Sequence, residues 1–175
     1  MGGGPMRLIH DLLAERGIVA EAAVVAQAHA LYRAAYAAAP AARTRFYPQV
    51  REDLQTLRGA GMRLGICTNK LQALAELVVE GMGLGGLIEV VVGADAVPAC
   101  KPDPGHLLAV AERMGLTPGS WGYVGDTDID RAAAAAAGVP FFLVPWGAGA
   151  TVAVAPGQRL SRLADLLVRE RATAP

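Results

Sequence analysis

The stretch Trp121-Gly-Tyr-Val-Gly-Asp-Thr-Asp-Ile-Asp130 decides the architecture. Trp121 to Val124 reads as a short buried strand, Gly125 as the turn that leaves it, and Ile129 to Ala137 as an alanine-rich helix closing at Gly138. Pro140-Phe-Phe-Leu-Val144 then starts a further strand. A strand, a turn crowded with carboxylates, a helix and another strand make the repeating unit of a parallel sheet, in which the crossover helix returns the chain to its starting edge.

The same texture extends toward the amino terminus. Met62-Arg-Leu-Gly-Ile-Cys-Thr68 predicts a strand, Leu71 to Glu80 a helix, Leu87 to Val92 a strand, and Gly105 to Met114 a helix with Leu107, Leu108, Val110 and Ala111 turned inward. A last helix is expected from Ser161 to Arg169. Before residue 46 the pattern is helical only. Met6, Leu8, Ile9, Leu12 and Leu13 recur at helical spacing up to Gly17, and Ala20 to Ala39 carries Val24, Val25, Ala28, Leu31, Tyr32 and Ala35 before Pro40. Phe46-Tyr-Pro48 introduces a helix over Gln49 to Gly59. The expected organisation is a helical segment at 1–45, followed at 46–175 by an α/β core, Rossmann-like and three-layered, with a parallel sheet.

Composition narrows the function. The chain has 175 residues, 53% hydrophobic and 18% charged, with 16 basic and 16 acidic side chains. Zero net charge argues against electrostatic capture of nucleic acid or an anionic membrane. Two cysteines, Cys67 and Cys100, exclude a disulfide scaffold and point to a reducing cytoplasm. Met1-Gly-Gly-Gly-Pro5 does not read as a secretory signal. The uncharged run from Ala132 to Gln158 is broken by Gly138, Pro140, Pro145, Gly147, Gly149, Pro156 and Gly157, so a membrane span is not expected. Fourteen of the sixteen basic residues are Arg, leaving Lys70 and Lys101 as the only lysines. A compact ammonium and a planar guanidinium are not interchangeable in a tight site, so these two positions merit inspection.

In a parallel sheet, ligands gather beyond the carboxyl ends of the strands. Thr68-Asn69-Lys70 follows the first strand, a loop after the second leads to Lys101-Pro-Asp-Pro104, and Gly125-Asp-Thr-Asp-Ile-Asp130 follows the third. A hydroxyl and an ammonium suit a phosphoryl group, and grouped carboxylates suit Mg²⁺. The combination predicts metal-assisted phosphoryl transfer.

In these segments, and in Thr44-Arg-Phe-Tyr-Pro48 and Trp146-Gly147, the chain resembles the haloacid dehalogenase-like (HAD) phosphohydrolases, closest to their bacterial phosphoglycolate phosphatase branch. The resemblance covers nearly the whole chain, with the motifs in order. It implies a HAD core preceded by a partial helical cap, and Mg²⁺-dependent hydrolysis of a small phosphorylated metabolite, phosphoglycolate favoured, through an aspartyl-phosphate. It further implies that Thr68 offers its hydroxyl to a phosphoryl oxygen, Asn69 shapes the pocket, Lys101 neutralises charge on the phosphate, Asp126 ligates Mg²⁺, Asp130 orients the site from behind, and Gly125 permits the tight turn. Pyrophosphatases, sugar phosphatases and dehalogenases share the scaffold and stay open as alternatives.

One departure stands out. The family attacks phosphorus with an aspartate at the end of its first strand, followed two residues later by a second aspartate. The carboxylates before residue 60 are Asp11, Glu15, Glu21, Glu52 and Asp53, and none forms that pair. Asp126-Thr-Asp128 cannot take the role, because no lysine follows Lys101. The resemblance thus implies a chain lacking the nucleophile and the central strand that carries it, with impaired or absent turnover. The strands ending at Thr68 and Val124 are then expected to pair directly, to admit another chain by self-association, or to leave unpaired backbone facing each other. A non-catalytic remnant binding phosphate, Mg²⁺ or a partner is the rival reading.

Other signals are weaker. Gly81-Met-Gly-Leu-Gly-Gly86 has dinucleotide spacing but follows a helix, not a strand. Asp126, Asp128 and Asp130 mimic the start of a calcium loop, yet Arg131 and Ala137 stand where Gly and Glu are required. His10, His29 and His106 lack ligand spacing and are expected at surface or partly buried helix positions. Cys67 reads as a small buried hydrophobe and Cys100 as a loop thiol. Tyr32 and Tyr36 suit helix packing, with substrate contact from the cap as the alternative.

Overall fold

The computed structural model describes residues 4–19, 21–39, 41 and 44–173. Two helices come first, α1 (Gly4–Glu15) and α2 (Ala22–Ala38), and they pack on each other with Ile9 and Val25 buried. A segment without regular structure at 44–47 and a turn at 48–49 lead to α3 (Val50–Gly59), and from there strands and helices alternate. They are β1 (Gly65–Cys67), α4 (Gln72–Gly81), β2 (Val90–Val92), α5 (Pro104–Arg113), β3 (Tyr123–Gly125), α6 (Asp128–Ala137) and β4 (Phe141–Leu143), then α7 (Leu166–Thr173). Among the described residues no helix is long and apolar enough to cross a membrane.

Local chemistry explains the helix starts nearest the rim. Asp103 caps α5 by accepting from the Gly105 N–H at 2.8 Å, and Pro104 opens the first turn, where its missing N–H costs nothing. Thr127 and Asp130 form a reciprocal capping box on α6. Ala133 and Ala134 of α6 are fully buried, and their small side chains let the helix press onto Leu107, Phe141, Leu143 and Val152. Each fully buried Leu in this cluster contributes on the order of 1.5–3 kcal/mol.

The strands are shorter than their apolar runs. Met62–Leu64 and Leu87–Glu89 lie outside the ladder, although the Glu89 N–H donates to the Leu64 carbonyl at 2.9 Å and Arg63 holds the Glu89 carboxylate at 2.7 Å. The single helix expected from Ser161 to Arg169 is instead a 3-10 turn at Leu163–Asp165 running into α7. The break has a cause. The Asp165 carboxylate accepts from the backbone N–H groups of Ser161 and Arg162, while the Arg162 side chain reaches back to Asp53 on α3. Asp53 is fully buried, and the Arg162 guanidinium holds it below the usual carboxylate range against the upward push of burial.

The sheet is divided. β1 pairs in parallel with β2 in the register Gly65–Val90, Ile66–Val91, Cys67–Val92. β3 pairs in parallel with β4 in the register Tyr123–Phe141, Val124–Phe142, Gly125–Leu143. Among the described residues no backbone ladder joins β1 to β3, so direct pairing of these strands, one of the expected outcomes, does not occur. A cavity of about 90 Å³ lies between them, lined by Gly65 and Cys67 on one side, Gly122 and Tyr123 on the other, Val110 of α5 and Met114 just after that helix. At its end, side chains bridge instead of backbone: Tyr123 Oη and Lys101 Nζ reach the Cys67 carbonyl at 3.3 and 3.0 Å.

Candidate active site

The carboxyl ends of β1 and β3 face a common rim. There Lys101 donates to Asp130 Oδ1 at 2.7 Å, to Tyr123 Oη at 2.6 Å and to the Cys67 carbonyl at 3.0 Å. An ammonium has three protons, and all three have acceptors. The Lys101 and Asp130 side chains are only 9% and 8% exposed, so the pair is shielded from solvent screening. The remaining oxygen of Asp130 accepts from Thr127 Oγ1 at 2.6 Å and from the backbone N–H groups of Thr127 and Asp126 at 3.1 and 3.3 Å. Burial pushes the Asp130 carboxyl up, but the Lys101 charge and the bonds from Lys101, Thr127 and Tyr123 prevail and hold it below the ordinary carboxylate range. Burial and the nearby Asp130 charge push the Tyr123 phenol up, so it stays protonated and donates to Asp130. Burial also pushes the Cys67 thiol up to about 12, leaving it inert as a nucleophile.

The other rim residues are tied into this network. Asn69 Nδ2 donates to the Lys101 carbonyl at 2.9 Å, clipping the loop after β1 to the segment before α5. The Thr68 N–H donates to the Val92 carbonyl, and Thr68 Oγ1 accepts from the Lys70 N–H at 3.2 Å. Gly125 does not have a positive φ; what excludes a side chain there is Asp130, whose Cβ stands 2.4 Å from where a Gly125 Cβ would be. Asp126 Oδ2 accepts from the Ala148 N–H at 3.0 Å, in the loop that contains Trp146 and Gly147. Gly147 has φ +64°, and a Cβ on it would fall 2.0 Å from that same oxygen. Asp128 is exposed and pairs with Arg131 at 3.0 Å.

Lys101 and Asp126 are not an ion pair; the lysine's partner is Asp130, four residues on. His106, expected at the surface or partly buried, is fully buried. Its Nδ1 accepts from the Lys101 N–H at 3.2 Å, and its Nε2 lies 3.0 Å from the Val92 carbonyl. A carbonyl only accepts, so Nε2 carries the proton and the ring is the neutral tautomer, with burial lowering its pKa below 6.5. Tyr123 and His106 are therefore the supports that sequence reasoning passed over. The position of His106, one turn into a helix capped beside Lys101, was the available signal.

Of the three carboxylates after β3, Asp126 has no basic partner among the described residues, and Mg²⁺ is commonly held by one or two carboxylates with water and phosphate oxygens. Its donor chemistry fits one ligand of such a site. No cluster of three His, Cys, Asp or Glu able to enclose a metal occurs among the described residues.

The haloacid dehalogenase-like hydrolase family model matches residues 12–144. The chain belongs to the haloacid dehalogenase-like hydrolases. A phosphoglycolate phosphatase of Cereibacter sphaeroides is 37% identical over 151 residues, a match covering 84% of this chain and 66% of that protein. The chain thus spans a little under two thirds of the length of this curated relative. A HAD-superfamily hydrolase structure from Geobacter sulfurreducens is 32% identical with a TM-score of 0.59, covering 71% of this chain and 60% of the other. A structure from Haemophilus somnus, described as a predicted phosphoglycolate phosphatase, has a TM-score of 0.84 over 97% of this chain and 79% of its own, at 22% identity. Its likeness is one of fold, and it places the divided α/β core of this HAD chain in the Rossmann-like architecture.

Proposed function

We propose that Thr68, Asn69, Lys101, Asp126 and Asp130 form the phosphate-handling rim of a Mg²⁺-dependent phosphomonoester hydrolase of the phosphoglycolate phosphatase type. The supporting observation is the shielded Lys101–Asp130 pair, which joins the carboxyl ends of two separate strand pairs beside the Thr68 loop. In this reading Thr68 donates its hydroxyl proton to a phosphoryl oxygen, Lys101 stabilises the anion electrostatically, Asn69 holds the β1 loop to the Lys101 segment, and Asp130 is a positioning residue. Asp126 supplies one Mg²⁺ ligand, and the ion, when bound, offsets charge on phosphoryl oxygens. Residues 1–45 serve as a partial cap on a core at 46–175. The substrate is a small phosphorylated metabolite, phosphoglycolate first, in a reducing compartment that suits the two free thiols.

A second reading rests on a specific observation. Asp126 is held by Ala148, Asp128 by Arg131 and Asp130 by Lys101, so none of these rim carboxylates stands ready as a nucleophile. That favours a chain with impaired turnover that binds phosphate, Mg²⁺ or a partner strand, including a strand of a second copy. Release of phosphate from phosphoglycolate with Mg²⁺, measured beside Lys101→Ala, separates the two. Turnover that disappears in the variant defeats the binding-only reading. Phosphate binding without turnover in the parent chain defeats hydrolysis by this chain.

A further inference from the structure

We propose that Lys70 and Tyr36 form a receptor for a carboxylate carried by the phosphorylated ligand; the inference rests on the rim being a phosphate site. The two lysines of the chain are in opposite states. Lys101 has its three protons committed to protein acceptors. Lys70 Nζ, half-buried, has one protein acceptor among the described residues, Tyr36 Oη at 2.7 Å, and lies 4.1 Å from the centroid of the same ring. No carboxylate pairs with Lys70 among the described residues. A partly desolvated ammonium with spare protons and no counter-charge is a site for an anion.

The placement selects which anion. Lys70 follows Thr68 by two residues, so the two backbone positions are at most about 7 Å apart. Its N–H donates to Thr68 Oγ1, and its carbonyl accepts from the Ala94 N–H at 2.9 Å, which pins the loop to the end of β2. A ligand with its phosphoryl group at Thr68 and a second negative group a few bonds away spans that interval. Tyr36 contributes more than packing. Its oxygen accepts a hydrogen bond from Lys70, so its own O–H is left to donate, and ammonium and phenol converge on one acceptor. A planar carboxylate, with two oxygens, matches two adjacent donors. Tyr36 belongs to α2 and Lys70 to the loop after β1, so the receptor also joins the helical segment to the core.

Calorimetric titration of the 175-residue chain with 2-phosphoglycolate and with ethyl phosphate, which keeps the phosphoryl group and lacks the carboxylate, tests this. The expected result is about tenfold tighter binding of the carboxylated ligand. Lys70→Met should abolish that preference and leave ethyl phosphate affinity unchanged, whereas Lys70→Arg, which keeps the charge, should retain most of it. Tyr36→Phe should reduce the preference without altering ethyl phosphate binding. A preference that survives Lys70→Met, or equal weakening of both ligands in either variant, overturns the receptor. Ethyl phosphate binding with no preference in the parent chain refutes the receptor and leaves the phosphate site standing. Failure of both ligands to bind removes the phosphate site and the receptor together.

Discussion

Replacing Lys101 by Met keeps an unbranched, flexible side chain one heavy atom shorter and removes the charge and donors, which probes the interaction at the centre of the rim. Asp130, 8% exposed, then loses its cation, and Tyr123 Oη and the Cys67 carbonyl lose a donor each. Breaking a buried ion pair from one side costs about 3–5 kcal/mol, because the remaining charge stays desolvated. The lower end applies here, since Thr127 and two backbone N–H groups still serve the other Asp130 oxygen. For a chain of this size about 3 kcal/mol corresponds to a fall in Tm of roughly 6–12 °C. Urea denaturation followed by circular dichroism measures it. The pH dependence gives the sign. In the parent chain Asp130 has a depressed pKa, so its contribution is present above the unfolded value of 3.8 and fades as pH falls through the folded value. In the variant burial is no longer outweighed by Lys101, the pKa rises, and protonation relieves the penalty on acidification. The gap between the two proteins should therefore be widest near neutrality and narrow as pH drops toward 3.8. A cost below about 1 kcal/mol at neutral pH, or a gap that does not change with pH, would refute the shielded pair as described.

Two further outcomes follow from the rim. Gly147→Ala combines a left-handed φ, worth about 1 kcal/mol against a side chain, with a Cβ inside the Asp126 carboxylate; phosphate affinity with Mg²⁺ present should fall severalfold in a titration, and unchanged affinity would separate Asp126 from binding. His106 is buried neutral with its pKa lowered from 6.5, so the unfolded chain takes up a proton that the folded chain refuses. Stability should therefore be complete above 6.5 and decline as pH falls below it, by up to about 1.4 kcal/mol per pH unit, and His106→Gln should flatten that slope in urea titrations.

Element types and rim segments were legible because they are written in local patterns. The apolar run ending at Thr68, the Asp103-Pro104 start of α5 and the Thr127–Asp130 capping box each lie within a few residues. What was not legible depends on distant partners. Asp53 reads as one more acid on an amphipathic helix, and nothing near it announces Arg162, 109 residues later. The same pairing broke the expected terminal helix. Tyr123 sits in an apolar strand, where its ring suggests packing, and only the fold aims its hydroxyl at Lys101 and Asp130. Gly125 was expected for its backbone freedom, yet it is the Asp130 side chain that requires it. Lys101 and Asp126 share a rim, as the motif order suggested, but the carboxylate one turn further on took the cation, because α6 turns Asp130 inward beneath β3.

The divided sheet also shapes how the chain opens. β1 and β2 with α4 form one lobe, β3 and β4 with α6 the other, and α5 touches both. The Asp53–Arg162 clasp crosses the same divide from α3 to the segment after β4. With no backbone ladder between them, the two lobes should differ in amide exchange, while the shared apolar cluster and the Lys101 network couple their opening. The amides of α5, held by both lobes at once, should be the slowest to exchange, since they wait for the joint itself to come apart.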